Sequence, residues 1–365
     1  MSTSPFMTPN HRHRRREVAY RRRRRRQRTL LAGALALALV TAVVVMALAR
    51  SGATHDPTAA AARRHHTGRS ATTSVGTARS PVGLPLGKPP LALAGIGDPA
   101  ADSVHVAFPE PPRAGLLFNI DTGQVLWQRN PYLHIRIASL TKMMTALLTV
   151  QSAPPDAPVL ITREAVEMPG SKVGVLPLGK DVKLETLLYG LLLPSGNDAA
   201  VALAQHVAGT VNTFVTRMDA EAAALGMGCT RYSSPSGYYN AGNFSCAADL
   251  ALLAHADLEQ PRIARIVRTD KAALPFPIKG GRLYLYNNNP LLVYGYPGTT
   301  GLKTGYTEAA GDCLVATAER HGVRLGVVLL HSPDPGTQAS ELLDRGFEDV
   351  YHQAPVPSPP IPGGV

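Results

Sequence analysis

One stretch near the N-terminus divides this chain before any fold can be considered. Residues 29–49 carry no charge and are mostly Leu, Ala and Val. As a helix, a run of this length spans roughly 30 Å of hydrocarbon. The preceding residues 1–28 contain eleven arginines and a single acidic residue. Because positive segments stay on the cytoplasmic side, we predict a basic cytoplasmic tail (1–28), a transmembrane anchor (29–49) and an extracytoplasmic remainder.

The apolar run has a second interpretation as a cleaved secretory signal. Ala47-Leu48-Ala49 resembles a signal-cleavage site. The run is longer than a usual signal core, which favours the uncleaved anchor. With an uncleaved anchor, the chain is expected to be a single-pass membrane protein. With a cleaved signal, it is expected to be secreted. In both cases the rest of the chain is expected to be exported.

The charge of the chain is concentrated in its tail. The net charge is +11, and the arginines of residues 1–28 account for nearly all of it, so the main body is close to neutral. Lying beside a membrane, the tail is expected to contact anionic lipid. No nucleic-acid-binding motif accompanies the arginines, and nucleic acid is not an expected partner.

Composition divides the rest of the chain into three parts. Residues 50–103 lack aromatic side chains and are rich in Ala, Thr, Gly and Pro. Such a segment buries too little apolar surface to offset its ordering entropy, so we predict a flexible linker. A globular catalytic domain is predicted over 104–352, followed by a Pro-rich tail at 353–365.

The predicted elements of the globular part are strands at its two ends and helices between them. Strands with a tight turn are predicted over 115–127, and further strands over 282–286, 301–305, 312–319 and 323–331. Helices are predicted from Ser139 and over 184–193, 198–207, 211–225, 247–258 and 336–352. This order describes an α+β domain, in which strands from both ends form one antiparallel sheet against an inserted helical lobe.

A serine and a lysine share one face of the first helix. Leu140, Met143 and Leu147 repeat with helical spacing. Ser139 and Lys142 lie three residues apart, so a helix brings their side chains together. An amine beside a serine can accept its proton, which makes Ser-x-x-Lys a candidate activated nucleophile. Alone, the signal is weak, and a capping serine with a solvated lysine is the favoured explanation.

Two further motifs lie at the edges of predicted elements. Ser195-Gly196-Asn197 separates two helices, where polar side chains can be presented rather than packed. Lys303-Thr304-Gly305 lies in a predicted strand, and Gly305 would let a substrate backbone approach closely.

Ser-x-x-Lys, Ser-x-Asn and Lys-Thr-Gly in this order resemble the signature of penicillin-binding proteins and serine β-lactamases. The flanking words, such as Ala138-Ser-Leu-Thr-Lys-Met-Met-Thr145 and Gly301-Leu-Lys-Thr-Gly-Tyr-Thr307, resemble the low-molecular-weight penicillin-binding proteins, the serine D-Ala-D-Ala carboxypeptidases. So does Ser234-Pro-Ser-Gly237. The resemblance covers residues 104–352 and implies a serine β-lactamase/penicillin-binding-protein-like fold, an antiparallel sheet with an inserted helical lobe.

The resemblance also implies a set of catalytic residues. Ser139 would attack the carbonyl between two D-alanines and form an acyl-enzyme, with Lys142 accepting its proton. Because an ordinary lysine is protonated at neutral pH, burial or a second cation must lower the pKa of Lys142, and Lys303 could be that cation. Ser195 would relay the proton to the leaving amine.

The substrate-binding residues implied by the resemblance lie mostly on one strand. Asn197 would bind the substrate amide and orient Lys142. Lys303 and Thr304 would hold the substrate carboxylate, and the backbone N–H groups of Ser139 and Tyr306 would form the oxyanion hole. The complete substrate-binding set is Asn197, Lys303, Thr304, Gly305, Tyr306 and Thr307.

The predicted partners are peptidoglycan stem peptides ending in D-Ala-D-Ala, and β-lactams as inhibitors. A DD-transpeptidase with the same site stays open as an alternative, because nothing in the motifs chooses between water and an amine as acceptor. A serine β-lactamase is disfavoured because no Glu-x-x-Leu-Asn word lies between the second and third motifs. A non-catalytic penicillin-binding sensor is disfavoured because all three motifs are intact.

The three cysteines give no sign of a metal site. In an exported domain Cys229 and Cys246 could form a disulfide, but sequence alone does not decide whether they meet. Cys313 lies in an apolar run and is predicted to be a buried strand residue. No Cys-x-x-Cys or His cluster is present, so no metal or cofactor is expected.

Overall fold

The structure is a computed structural model that describes residues 91–238, 242–278 and 280–357. The predicted cytoplasmic tail, anchor and most of the linker, and residues 358–365 of the predicted Pro-rich tail, lie outside the described residues. Among the helices that are described, none combines the length and apolar character needed to cross a bilayer.

A five-stranded antiparallel sheet joins the two ends of the globular domain. Its order is β2-β1-β11-β10-β9, and β1 pairs with β11 from Ala114↔Leu330 to Asn119↔Leu325. The strands are β1 (Ala114–Asn119), β2 (Val125–Arg129), β9 (Thr299–Thr307), β10 (Gly311–Arg320) and β11 (Val323–Ser332). The predicted α+β class, with a sheet built from both ends of the domain, is confirmed.

The helical lobe is inserted between β2 and β9. Its helices are α1 (Thr141–Ser152), α2 (Arg163–Glu167), α3 (Leu184–Leu192), α4 (Asn197–Ala208), α5 (Val211–Ala224), α6 (Ala247–Leu258), α7 (Pro261–Val267) and α8 (Pro290–Val293). Short strand pairs join β3 (Ile135–Arg136) to β6 (Phe244–Ser245), β4 (Pro158–Leu160) to β5 (Asp181–Lys183), and β7 (Lys271–Pro275) to β8 (Arg282–Tyr286). After the sheet, α9 (Pro335–Arg345) closes the domain.

Apolar side chains cover both faces of the sheet. On the lobe face Leu116 and Phe118 belong to one core, which contains the buried face of α1. On the opposite face Leu117 belongs to a second core together with Leu342 and Phe347 from the C-terminal end. Burying a side chain of this size contributes about 1.5–3 kcal/mol, so the two cores hold the sheet rigidly between layers.

The domain begins earlier than the predicted boundary at residue 104. Ala94 pairs with the turn after β1, donating to the Gly123 carbonyl at 3.0 Å and accepting from Val125 N–H at 2.9 Å. Leu91, Leu93 and Ile96 pack against the lobe-side core. The prediction of a flexible linker as far as residue 103 is therefore wrong for residues 91–103, because three apolar side chains and strand-like pairing offset the composition.

One further predicted element differs in extent, and one strand of the structure was not predicted. The closing helix, predicted over 336–352, ends at Arg345 and continues as one wider π turn over Gly346–Val350. Strand β7 was not predicted, because its residues Lys271–Pro275 carry no alternating pattern; pairing with β8 defines it.

Candidate active site

Ser139 lies in a short turn at the entrance to α1. Residues Ala138–Leu140 form a 3₁₀ turn, and the α-helix begins at Thr141. The helix was predicted to include Ser139, so its start is two residues later than expected. Ala138 has a left-handed φ of 46°, which turns the chain sharply just before the serine. Ser139 is half-buried and therefore accessible to a ligand.

Lys142 is buried and surrounded by three oxygen atoms. Its Nζ lies 2.8 Å from Ser139 Oγ, 2.8 Å from Asn197 Oδ1 and 2.8 Å from the Ser236 carbonyl oxygen. The predicted pairing of Ser139 with Lys142, and the orienting contact from Asn197, are both present. Ser236 is not among the predicted site residues, although it lies in the motif Ser234-Pro-Ser-Gly237, because a backbone carbonyl leaves no signal in side-chain identity.

Burial is the main cause that lowers the pKa of Lys142 well below its usual value, and the positive charge of Lys303 lowers it further. Asp198 acts in the opposite direction. Burial also lowers the pKa of Lys303 to about 7. The expectation that burial or a second cation would favour neutral Lys142 is met by both, with burial the larger effect.

Ser195 and Asn197 lie at the break between α3 and α4. Ser195 is buried, has a left-handed φ of 67°, and its Oγ has no hydrogen-bond partner within the described part of the chain. A strained backbone with an unpaired buried hydroxyl is typical of a functional position. Asn197 begins α4, and its Nδ2 donates to the Pro169 carbonyl at 2.8 Å.

Asp198 fastens the loop that follows α2. Its carboxylate accepts from the backbone N–H groups of Val173 at 2.9 Å and Gly174 at 3.1 Å. Together with Asn197 it anchors residues 169–174 beside the site. The sequence did not predict this role, because Asp198 lies outside the Ser195-Gly196-Asn197 motif.

Strand β9 brings the third motif against Ser139. Lys303 is buried, and its Nζ donates to the Thr304 carbonyl at 2.8 Å. A Cβ on Gly305 would lie 3.0 Å from the Ile137 carbonyl oxygen and 3.0 Å from Ser139 N. The predicted reason for this glycine was close approach of a substrate backbone; the structure instead uses it for close approach of β9 to the nucleophile's own backbone.

The end of β9 borders the same site. Tyr306 is partly exposed. Thr307 is turned toward the following turn, where its Oγ1 accepts from Ala310 N–H at 3.1 Å. The structure thus brings Ser139, Lys142, Asn197 and the β9 residues together, with Ser195 at the adjoining helix break.

Cys229 and Cys246 form a disulfide, with their Cα atoms 5.7 Å apart. Cys313 is a buried, unbonded strand residue, as predicted. Ligand atoms of Cys229, Cys246 and Asp249 lie within 4.8 Å of one another. The disulfide takes both sulfur atoms, so this cluster presents no thiolate to a metal.

Comparison with known proteins gives consistent matches. The family model of D-alanyl-D-alanine carboxypeptidases, Peptidase_S11, matches residues 112–334. The chain is 35% identical over 245 residues to the D-alanyl-D-alanine carboxypeptidase DacB2 of Mycobacterium tuberculosis, covering 65% of this chain and 82% of that protein. It is 32% identical over 243 residues to DacF of Bacillus subtilis, covering 64% of this chain and 62% of that protein.

One solved structure is similar to this chain in both fold and sequence. A variant of a Streptomyces DD-transpeptidase superimposes with a TM-score of 0.62 at 29% identity, covering 66% of this chain and 99% of that one. The family match spans more than half of this chain and includes all three motifs of the site. This chain therefore belongs to the Peptidase_S11 family of serine-type D-alanyl-D-alanine carboxypeptidases, within the low-molecular-weight penicillin-binding proteins.

Proposed function

We propose that the chain removes the terminal D-alanine of peptidoglycan stem peptides through an acyl-enzyme on Ser139. The single observation that carries this proposal is the 2.8 Å contact between Ser139 Oγ and the buried Nζ of Lys142. Neutral Lys142 accepts the hydroxyl proton while Oγ bonds to the carbonyl carbon of the penultimate D-alanine. This converts a poor nucleophile into an effective one at neutral pH.

Substrate binding and charge stabilisation are assigned to β9 and the 3₁₀ turn. The backbone N–H groups of Ser139 and Tyr306 donate to the tetrahedral oxyanion. Lys303 and Thr304 bind the terminal carboxylate, and Asn197 binds the substrate amide. The close approach of Gly305 to Ser139 N supports this arrangement, because it brings the two N–H groups to one side of the nucleophile.

Collapse of the tetrahedral intermediate breaks the C–N bond and leaves an ester on Ser139. The leaving amine takes the proton from Lys142 through Ser195, whose buried hydroxyl is available for this relay. Water then attacks the ester, giving a stem peptide shortened by one residue.

The test is incubation of the exported domain with a pentapeptide ending in D-Ala-D-Ala. We expect release of one D-alanine per peptide and a fluorescent penicillin adduct on the protein. Ser139→Ala should abolish both, whereas Ser340→Ala, far from the motifs in sequence and on α9, should retain both. Absence of penicillin labelling in the unchanged protein would refute the acyl-enzyme.

Transfer to an amine is the second candidate function. The similarity to a Streptomyces DD-transpeptidase favours it. Adding glycine as acceptor and weighing the products separates the two, because hydrolysis shortens the pentapeptide whereas transfer replaces the lost D-alanine with glycine.

We also propose that residues 29–49 anchor the chain in the cell membrane with the catalytic domain outside and the tail against anionic lipid. The uncharged run beside an arginine block supports this topology. A disulfide in the catalytic domain also fits an oxidising compartment. Protease digestion of intact spheroplasts should degrade the catalytic domain; N-terminal sequencing beginning near residue 50 would favour secretion instead.

A further inference from the structure

A loop closed by a disulfide packs directly on the catalytic lysine. We define the disulfide loop as the described residues 229–238 and 242–246, and its tip as residues 234–237. Cys229 follows the end of α5, and Cys246 immediately precedes α6. The disulfide joins these two ends, and the tip contacts α1.

Three contacts join the tip to the active site. The Ser236 carbonyl accepts from Lys142 Nζ at 2.8 Å, and the Pro235 carbonyl accepts from Thr145 Oγ1 at 2.7 Å. A Cβ on Gly237 would lie 1.9 Å from the Ala138 carbonyl oxygen. Both the turn before the nucleophile and the helix that carries the base thus touch this loop.

The contact with the Ser236 carbonyl affects the direction in which the lone pair of neutral Lys142 points. Neutral Lys142 has two N–H bonds and one lone pair. The Asn197 and Ser236 oxygen atoms are acceptors only, so each takes one N–H. The lone pair then points at the third neighbour, Ser139 Oγ. Without the Ser236 carbonyl, the amine can rotate its lone pair away from the hydroxyl.

Hydrogen bonds hold the loop together with the disulfide. Asp249 accepts from Cys229 N–H at 2.7 Å and from Thr230 Oγ1 at 2.6 Å, and Asn243 Nδ2 donates to Ser234 Oγ at 2.9 Å. Arg231 and Phe244 exchange backbone hydrogen bonds of 3.0 and 2.9 Å, and Thr230 Oγ1 lies 2.8 Å from Ser245 Oγ. β6 is only two residues long. A covalent bond directly outside these contacts fixes the separation of the loop ends.

We propose that the Cys229–Cys246 disulfide is a positioning element for acylation, which holds the Ser236 carbonyl so that the Lys142 lone pair faces Ser139. This inference rests on the proposed function of Ser139 and Lys142. The cysteines touch no substrate; they act through the loop. The carboxylate-binding residues lie on β9, a separate element, and do not depend on the loop ends.

The test uses the exported domain and its Cys229→Ser/Cys246→Ser double variant, with a fluorescent penicillin as probe. Varying the penicillin concentration separates the acylation rate constant from the dissociation constant of the initial complex. We expect the acylation rate constant to fall about ten-fold or more, as for a misplaced catalytic group. The dissociation constant should change by less than about two-fold, because the clamp on β9 is intact.

The unchanged domain reduced with a phosphine provides a second measurement that does not depend on folding of the variant. Reduction should lower acylation in the same way, whereas the phosphine should not affect the double variant. Normal acylation after confirmed loss of the disulfide would overturn the inference, as would losses explained by a smaller folded fraction. If the oxidised, unchanged domain is not acylated, the proposed function fails instead.

Discussion

Lys142 and Lys303 show how burial favours the neutral form of a lysine. Each is almost completely excluded from solvent, and a buried ammonium group loses its hydration, so the neutral form is favoured. Their charges also disfavour each other. These two lysines are the residues to which we assign the base and the carboxylate ligand of the site.

The pH dependence of kcat/KM for a D-Ala-D-Ala peptide should show both lysines. Lys142 must be neutral, so activity rises with pH through its lowered pKa, well below 10.5. Lys303 must be charged, and its pKa of about 7 in the free protein predicts falling activity above that pH. In Lys303→Gln the falling limb should disappear, and the rising limb should move to higher pH because the charge of Lys303, which lowers the pKa of Lys142, is gone. A rising limb near pH 10.5 in the unchanged protein would contradict the lowered pKa of Lys142.

Asp257 is a buried carboxyl group outside the catalytic site. Neither carboxyl oxygen has a hydrogen-bond partner among the described residues, and burial raises the pKa well above its usual 3.8. The folded state therefore holds this proton at pH values where the unfolded chain has lost it. Stability from this group is present at low pH and is lost as pH rises from about 3.8 through the folded pKa.

Asp257→Asn removes this titration while keeping the shape of the side chain. We expect the free energy of unfolding of the variant, relative to the unchanged protein, to become more favourable as pH rises from about 4 toward neutrality. Urea unfolding of both proteins at several pH values measures the difference. A difference that does not vary with pH would show that Asp257 ionises as readily in the folded state as in the unfolded chain.

At the scale of elements, the site depends on how closely β9 approaches the 3₁₀ turn. Gly305 lies where the strand meets the backbone of Ile137, Ser139 and Leu140. All three neighbours are backbone atoms, so no flexible side chain can move aside. The nucleophile and the carboxylate clamp are thus set by the contact between two elements rather than by either alone.

Gly305→Ala should push β9 away from Ser139. The added methyl meets backbone atoms at 3.0–3.2 Å, so we expect destabilisation of about 1–3 kcal/mol. Acylation by penicillin should slow by about 10- to 100-fold, because the clamp and the nucleophile separate.

Gly228→Ala is the matched control for this change. It also lacks a left-handed φ, and its Cβ would have no neighbour within 4 Å. Unfolding and acylation should change little in this variant. Similar acylation rates in the two variants would show that the close approach of β9 has no catalytic importance.

For the molecule as a whole, long-range connections join regions far apart in sequence. β1 pairs with β11 across the entire helical lobe, so the lobe is closed at its base by the sheet. Within the lobe, the disulfide closes a second, much shorter loop with a sequence separation of 17. Of the two, only the covalent disulfide persists in the unfolded chain and restricts it there.

Loss of the disulfide should lower the stability of the whole domain. A cross-link closing a loop of this length contributes about 3 kcal/mol, mainly by restricting the unfolded chain. We expect the Cys229→Ser/Cys246→Ser variant to unfold at a lower urea concentration, with a free energy of unfolding lower by about 3 kcal/mol. Adding a reductant should destabilise the unchanged domain and leave the variant unaffected. A loss below about 0.5 kcal/mol would contradict this contribution, since that is the range of neutral surface changes.

Local sequence carried much of the information about the fold and the site. Helical spacing placed Ser139 and Lys142 together, and strand patterns at both ends predicted the shared sheet. The three motifs are short, and their side chains carry the chemistry, so they could be recognised from residue type and order. The predicted anchor and tail depend on apolar length and charge and stay predictions.

Other features depend on contacts between distant segments and have no local signature. The Ser236 carbonyl on Lys142 is a backbone atom, so any residue type could have supplied it. Residues 91–103 belong to the domain because their few apolar side chains pack against the lobe-side core. Residue type and spacing were therefore enough to predict a nucleophile, its base and a carboxylate clamp. Only the tertiary structure decided the contacts of Lys142 Nζ with Asn197 and Ser236, the pairing of Cys229 with Cys246 and the close packing of Gly305, because each depends on a distance between atoms far apart along the chain.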